Sequence, residues 1–257
     1  MLKTLFVVEL HRALLTQIRY PMDFVSGLAT LTILFGGLLL GAQHITGVDV
    51  FNANLDGLII SYASWMMLTT CITYIPSCIQ GEAQRGTLET LFTSVMSFQT
   101  ILLLRAIAQS LVGFAFSAIV LLLLLWLTGR SVIATPAIIV PLLAMISASL
   151  GIGFLAGALA LRFKQVSQFV SLLQFPLMFL MMTPFEQMGP LTATIASFLP
   201  VVPSAIVLRE LMVVGMPLAE THYLMAVVTG ALYLVGGMLI FRDATGVVMS
   251  KGMLAGY

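Results

Sequence analysis

Residues 106–129 read AIAQSLVGFAFSAIVLLLLLWLTG, an uncharged run held between Arg105 and Arg130. A helix needs about 20 predominantly apolar residues to cross about 30 Å of hydrocarbon, and this run supplies them. Working outward, charged residues delimit further uncharged runs at 24–54, 57–81, 131–161, 165–185, 187–208 and 221–241. The first turns polar beyond Ala42, through Gln43, His44, Thr46 and Asp49, and the 131–161 run enters apolar sequence near Pro136. Helical spans on this scale make the fold class an all-α membrane protein.

Composition agrees. Of 257 residues, 60% are apolar and 8% charged, against about 25% charged in an average soluble domain. With a mean hydropathy of +1.10, too few polar residues exist to cover a soluble globule, and disorder is excluded for the same reason. The eleven Lys and Arg are dispersed, so no nucleic-acid surface is expected. Cys71 and Cys78 stand about 10 Å apart along one predicted helix, too far for a disulfide, with no ligand set for a metal. Both are read as small packing residues.

The run 187–208 is unlike the others. It carries Pro190, Pro200 and Pro203 with Thr192, Thr194, Ser197 and Ser204. Each proline removes a backbone donor, and broken backbone at membrane depth needs a protein or water-filled shelter. A re-entrant or interfacial helix pair is therefore expected, leaving six spans. With the N-terminus inside, Lys3, Arg12, Arg19, Arg85, Arg105, Arg162, Lys164, Arg242 and Lys251 fall on the cytoplasmic side, and Arg130 and Arg209 outside. This positive-inside asymmetry places both termini in the cytoplasm, with Asp49, Arg130 and Glu186 external. The N-terminus lacks the pattern of a cleavable signal peptide. The chain, 1–257, reads as a single membrane domain in the cell membrane.

Two segments stand apart from the spans. In residues 1–21, Leu2, Phe6, Val7, Leu10, Ala13, Leu14 and Ile18 share one helical face. Glu9, His11, Arg12, Thr16 and Arg19 cluster opposite, and Pro21 ends the helix. Such a helix lies on the bilayer, with Arg12 and Arg19 suited to the anionic cytoplasmic leaflet. Between the second and third spans, Gly81-Glu82-Ala83-Gln84-Arg85-Gly86-Thr87-Leu88-Glu89-Thr90-Leu91-Phe92 follows helical spacing. Glu82, Arg85 and Glu89 are expected on one face of a short helix, with Leu88, Leu91 and Phe92 on an apolar one. On the residues alone this is either a docking helix or a solvated connection.

Glu82, Gly86, Thr87, Leu88 and Glu89, in the order Glu-x-x-x-Gly-Thr-Leu-Glu, resemble the signature of ABC-2 transporter permeases. The amphipathic start, the six spans and the proline-broken segment ending Pro203-Ser204-Ala205-Ile206-Val207-Leu208-Arg209 fit in order. Gln84, Val95 and Leu104-Arg105 depart from the usual pattern of a second acid, a proline and Gly-Lys. The resemblance implies that 82–96 is a cytoplasmic coupling helix seated on an ATP-binding cassette ATPase subunit, with Glu82, Arg85, Gly86, Thr87, Leu88 and Glu89 making the coupling contacts. It also implies a second permease copy, a pathway between the copies, and ATP with Mg held by the ATPase rather than by this chain.

The remaining sequence is consistent with that expectation. No P-loop pattern occurs, so the chain is not expected to be an enzyme. No predicted span centre carries Asp, Glu, Lys, Arg or His, unlike a proton-coupled carrier. A sodium-coupled secondary carrier or a non-transporting scaffold remains an alternative. Gly37-x-x-x-Gly41 and Gly153-x-x-x-Gly157 are candidate packing faces. Met178, Met181 and Met182 are read as either packing or an adaptable substrate wall. His44, His222, Glu186 and Glu220 form a possible outer polar group. Apolar spans favour an amphipathic, lipid-like or drug-like cargo; no substrate-binding residue is assigned.

Overall fold

The computed structural model describes residues 2–46, 55–163, 166–185, 188–215 and 219–250, and among these every regular element is helical. Helix α1 (Leu2–Arg19) is followed after Tyr20 by α2 (Pro21–Thr46), so Pro21 both ends one helix and starts the next, where its missing N–H costs nothing. Then come α3 (Leu55–Gln84), the short α4 (Leu88–Phe92) and α5 (Phe98–Thr128). A 3-10 turn (Pro136–Ile138) leads into α6 (Ile139–Phe163). Finally α7 (Ser167–Met182), α8 (Pro190–Phe198), α9 (Val202–Val213) and α10 (Glu220–Ser250) complete the chain. Asp49, Lys164, Glu186, Gln187 and Lys251 lie outside the described residues.

Helix α3 is the axis of the bundle: α5, α6, α7 and α9 all pack on it, and Ile59, Tyr62, Leu68, Ile72, Ile75 and Ile79 are fully enclosed. Tyr62 donates from its hydroxyl to the Leu31 carbonyl of α2 at 2.7 Å, and the Trp65 Nε1–H donates to the Gln174 carbonyl of α7 at 3.0 Å. Burying these aromatics with their polar tips satisfied adds packing area without an unpaired donor. Outward, Leu122, Trp126, Leu172, Phe175, Leu232 and Leu239 are exposed, as a lipid-facing surface requires.

The closest packing is between α6 and α10. A Cβ on Gly151 would lie 2.1 Å from the Tyr233 carbonyl oxygen, one on Gly237 2.2 Å from the Gly151 oxygen, and one on Gly230 2.6 Å from the Ala144 oxygen. Ala144 and Gly151 thus face Gly230 and Gly237 in the same chain direction, so α6 and α10 run parallel. Small residues let the two backbones meet directly. Of the two small-residue pairs read in the sequence, Gly153 and Gly157 pack against Cys71 and Ile75 of α3, whereas a Cβ added to Gly37 or Gly41 of α2 would meet no atom of another element within 4 Å among the described residues.

Parallel α6 and α10 need an odd number of crossings between them. Helix α7 has only 16 residues, about 24 Å at 1.5 Å per residue, and does not reach the length expected for 165–185. The reason is Thr183, extended (φ −75°, ψ 126°) ahead of Pro184, where proline disfavours helix in the preceding residue. Nevertheless α7 lies along α3: Ser167 bonds Gln80 near one end, while the Thr183 carbonyl accepts from Arg209, whose side chain reaches Gly57 near the other. Helices α8 and α9 meet at 113°. The end of α8 reaches inward to Tyr233, whose hydroxyl donates to the Phe198 carbonyl, and α9 returns to the loop after α5, where Ile133 N–H bonds the Met212 carbonyl. Among the described residues five helices are long and apolar enough to cross a membrane, α7 is a shorter apolar helix, and α8 with α9 forms one pair sharply bent at its break.

Candidate functional site

The signature segment lies at the end of the bundle that carries α1, Arg85, Arg162 and Arg242. Helix α3 continues through Glu82 to Gln84 and stops in a Schellman turn. Gly86 N–H bonds the Ala83 carbonyl at 3.1 Å and Thr87 N–H bonds the Glu82 carbonyl at 3.0 Å. This closure needs a left-handed residue, and Gly86 has φ +70°. No atom lies within 4 Å of where its Cβ would stand, so backbone conformation and not space selects glycine. Thr87 Oγ1 then donates to a carboxylate oxygen of Glu82, so the residue after the glycine locks the residue that opened the turn.

The expected single helix over 82–96 is thus two helices and a turn, and its charges do not share a face. Glu82 belongs to α3 and is buried, and Leu88 at the start of α4 is 4% exposed. Arg85, Glu89 and Thr90 face outward, and Val95 is 94% exposed. Behind them, Phe92 packs on Phe98 (ring centroids 4.4 Å), Phe98 on Phe241 (5.9 Å), and Phe241 on Phe154 (5.3 Å). This aromatic row ties the turn to α5, α10 and α6.

Glu82 is held from a second direction by Arg105, two turns into α5. Arg105 Nη1 bonds Glu82 Oε1 at 2.8 Å, and its Nε bonds Glu9 Oε1 of α1 at 2.9 Å. Arg12 completes the group at 3.6 Å from Glu9. Side-chain exposures of 12%, 9% and 11% for Arg105, Glu9 and Glu82 leave little solvent screening. Glu9 is therefore not on the free polar face assigned to it. Instead Leu5, Phe6, Glu9, Leu10 and Ala13 turn toward the protein, while Leu2, Val7, Leu14 and Ile18 are exposed alongside Arg12 and Arg19. The outward face is apolar with basic residues. The sequence reading overlooked Arg105 as a partner. Its signal was position: one charge after Ile101-Leu102-Leu103-Leu104 needs an acid nearby.

At the opposite end, Arg130 pairs with Asp56 at 3.7 Å. Arg209 is buried, with Nη2 3.3 Å from the Thr183 carbonyl. His44, His222 and Glu220 are exposed. Of these three, His222, with Thr221, Thr194 and Ser197, lines a cavity of ≈ 330 Å³ between α8, α9 and α10. A second, apolar cavity of ≈ 260 Å³ lies between α3, α5 and α6. Met178 and Met181 are core residues at 3% and 1% exposure and line neither.

The family model described as ABC-2 type transporter matches residues 4–213. The chain belongs to the ABC-2 type transporter family. No curated protein matches this chain. This member is the membrane permease of an ABC transporter, a multi-pass component that works with an ATPase subunit. The matched range runs from α1 to the end of α9 and includes the Glu82–Leu88 turn.

Proposed function

We propose that this ABC-2 permease is the membrane half of an ATP-driven exporter in the cell membrane, with both termini in the cytoplasm. The observation that supports this reading is the rigid turn at the basic end of α3. Gly86 and Thr87 fix its shape, while Arg85, Glu89 and Val95 stand outward on it. The ATPase seats on those outward residues, and Glu82 and Leu88 hold the seat from within. Closure of the ATPase pushes on α4, and the row Phe92, Phe98, Phe241 and Phe154 passes the displacement to α5, α10 and α6. Two permease copies flank the pathway. Mg-ATP belongs to the ATPase subunit, and this chain supplies no catalytic group.

The cargo class is amphipathic, lipid-like or drug-like. In support, Arg105, Arg130, Asp56 and Glu82 sit near span ends, leaving the middle of the bundle to apolar and hydroxyl side chains. The test is co-expression with a candidate ATP-binding cassette ATPase subunit, and reconstitution of the purified complex. Crosslinks from cysteines at 89 and 95 to the ATPase are expected, with ATP-dependent accumulation of fluorescent lipid or dye in inverted vesicles. Transport that persists without the ATPase and follows a sodium gradient would replace this reading with a secondary carrier. A chain that binds no ATPase and moves nothing would be a scaffold.

A further inference from the structure

Two segments far apart in sequence meet at one guanidinium, and the coupling turn joins them through one of the two acids. Glu9 of α1 accepts from Arg105 Nε, Glu82 of α3 accepts from Nη1, and Thr87 of the turn donates to the other oxygen of Glu82. Arginine suits this place because its donors are fixed in a planar fork, so one side chain can hold two carboxylates at set angles. Helix α1 packs on α5 and α2, and it makes no comparable contact with α3 or α4 among the described residues. The route from α1 to the turn therefore passes through Arg105.

We infer that Arg105 is a positioning residue that fastens the interfacial helix to the coupling turn, so that α1 and the turn travel as one body when the ATPase closes. Two features require more than a local clasp. The shared guanidinium means neither carboxylate can leave without exposing the other half of a buried charge group. In addition, α1 presents Val7, Leu14 and Ile18 away from the protein, so a displacement of the turn is delivered to the membrane surface as movement of an apolar helix. This rests on the ATP-driven reading above and assigns the part of the chain that first disturbs the lipid.

The test uses the full permease–ATPase complex with Cys71→Ala and Cys78→Ser, so that spin labels can be placed in pairs at exposed Val8, Val95 and Val247. Distances are read by electron–electron resonance without nucleotide and with ATP held by a hydrolysis-deficient ATPase. In the wild-type triad, ATP is expected to shift both Val8–Val247 and Val95–Val247 while Val8–Val95 keeps its mean and width. In Glu9→Gln, and in Glu9→Asp, whose shorter arm keeps the charge, Val95–Val247 still shifts but Val8–Val247 stays behind. A merely structural contact would lower the melting temperature of these variants and leave the co-movement intact. The inference is overturned if Val8 fails to follow Val95 in the wild-type triad, or if it still follows in both variants. If ATP shifts none of the three pairs, the ATP-driven reading fails and takes this inference with it.

Discussion

Thr87 is tied to Glu82 by two of its groups, its amide to the Glu82 carbonyl at 3.0 Å and its hydroxyl to the Glu82 carboxylate and, at 3.3 Å, to the same carbonyl. The two groups close one turn from backbone and side chain together. Thr87→Ser should keep both, while Thr87→Val keeps only the first and should cost about 1 kcal/mol, a charge-assisted bond reduced by partial exposure. Gly86→Ala should cost about 1–2 kcal/mol through the left-handed backbone alone. Chemical or thermal unfolding of the purified permease measures all three.

The acids of the signature should separate in their effects. Glu82→Gln breaks a buried pair and should destabilise the permease by about 3 kcal/mol, the low end for a broken buried ion pair. Glu89→Gln is exposed and should leave stability within about 0.5 kcal/mol, while weakening ATPase binding. Melting temperature of the permease alone, set beside Kd for the ATPase subunit, distinguishes the two. Equal loss of stability in both variants would contradict the buried and exposed placements.

Gly151→Ala or Gly237→Ala would drive a methyl into facing backbone at 2.1 or 2.2 Å. Neither neighbour is a movable side-chain end, so either change should cost at least about 1–3 kcal/mol, the range for overpacked cores, and loosen α10 from α6. Gly36→Ala, with no atom within 4 Å, should be neutral or stabilising by a few tenths of a kcal/mol. Melting temperatures in detergent, compared across the three, check this.

Topology can be read from single cysteines on a background lacking Cys71 and Cys78. Position 131 beside Arg130 should react with an impermeant maleimide from outside intact cells, and position 95 only after permeabilisation. Both are exposed in the structure. Labelling of 95 from outside would invert the assigned orientation.

Much of the fold was legible because charge and proline mark a membrane chain clearly. Arg105 and Arg130 bracket the apolar length of α5, and the prolines of 187–208 mark the bent pair α8 and α9. Proline alone is an incomplete guide, since Pro76, which is buried, and Pro176, which is exposed, both lie inside continuous helices. The signature was legible as a set of residue types, but not as a shape. Helical spacing placed Glu82, Arg85 and Glu89 together because periodicity cannot register a left-handed glycine between them. Nor could it place Glu9, whose amphipathic wheel fits a free polar face equally well. Its partner lies 96 positions away in sequence, a contact that only the packed structure brings about.

On the proposed docking of the ATPase, the glycine-closed turn at Gly86 separates where the permease meets its partner from what it says to that partner. Its direction is set by backbone dihedral and by two inward bonds, none of which involves Arg85, Glu89, Thr93 or Val95. Those four positions can change chemistry while the platform keeps its address. A lineage can thus exchange ATPase subunits, or keep duplicated transporters from sharing one, through a few surface substitutions and without rebuilding the bundle beneath them.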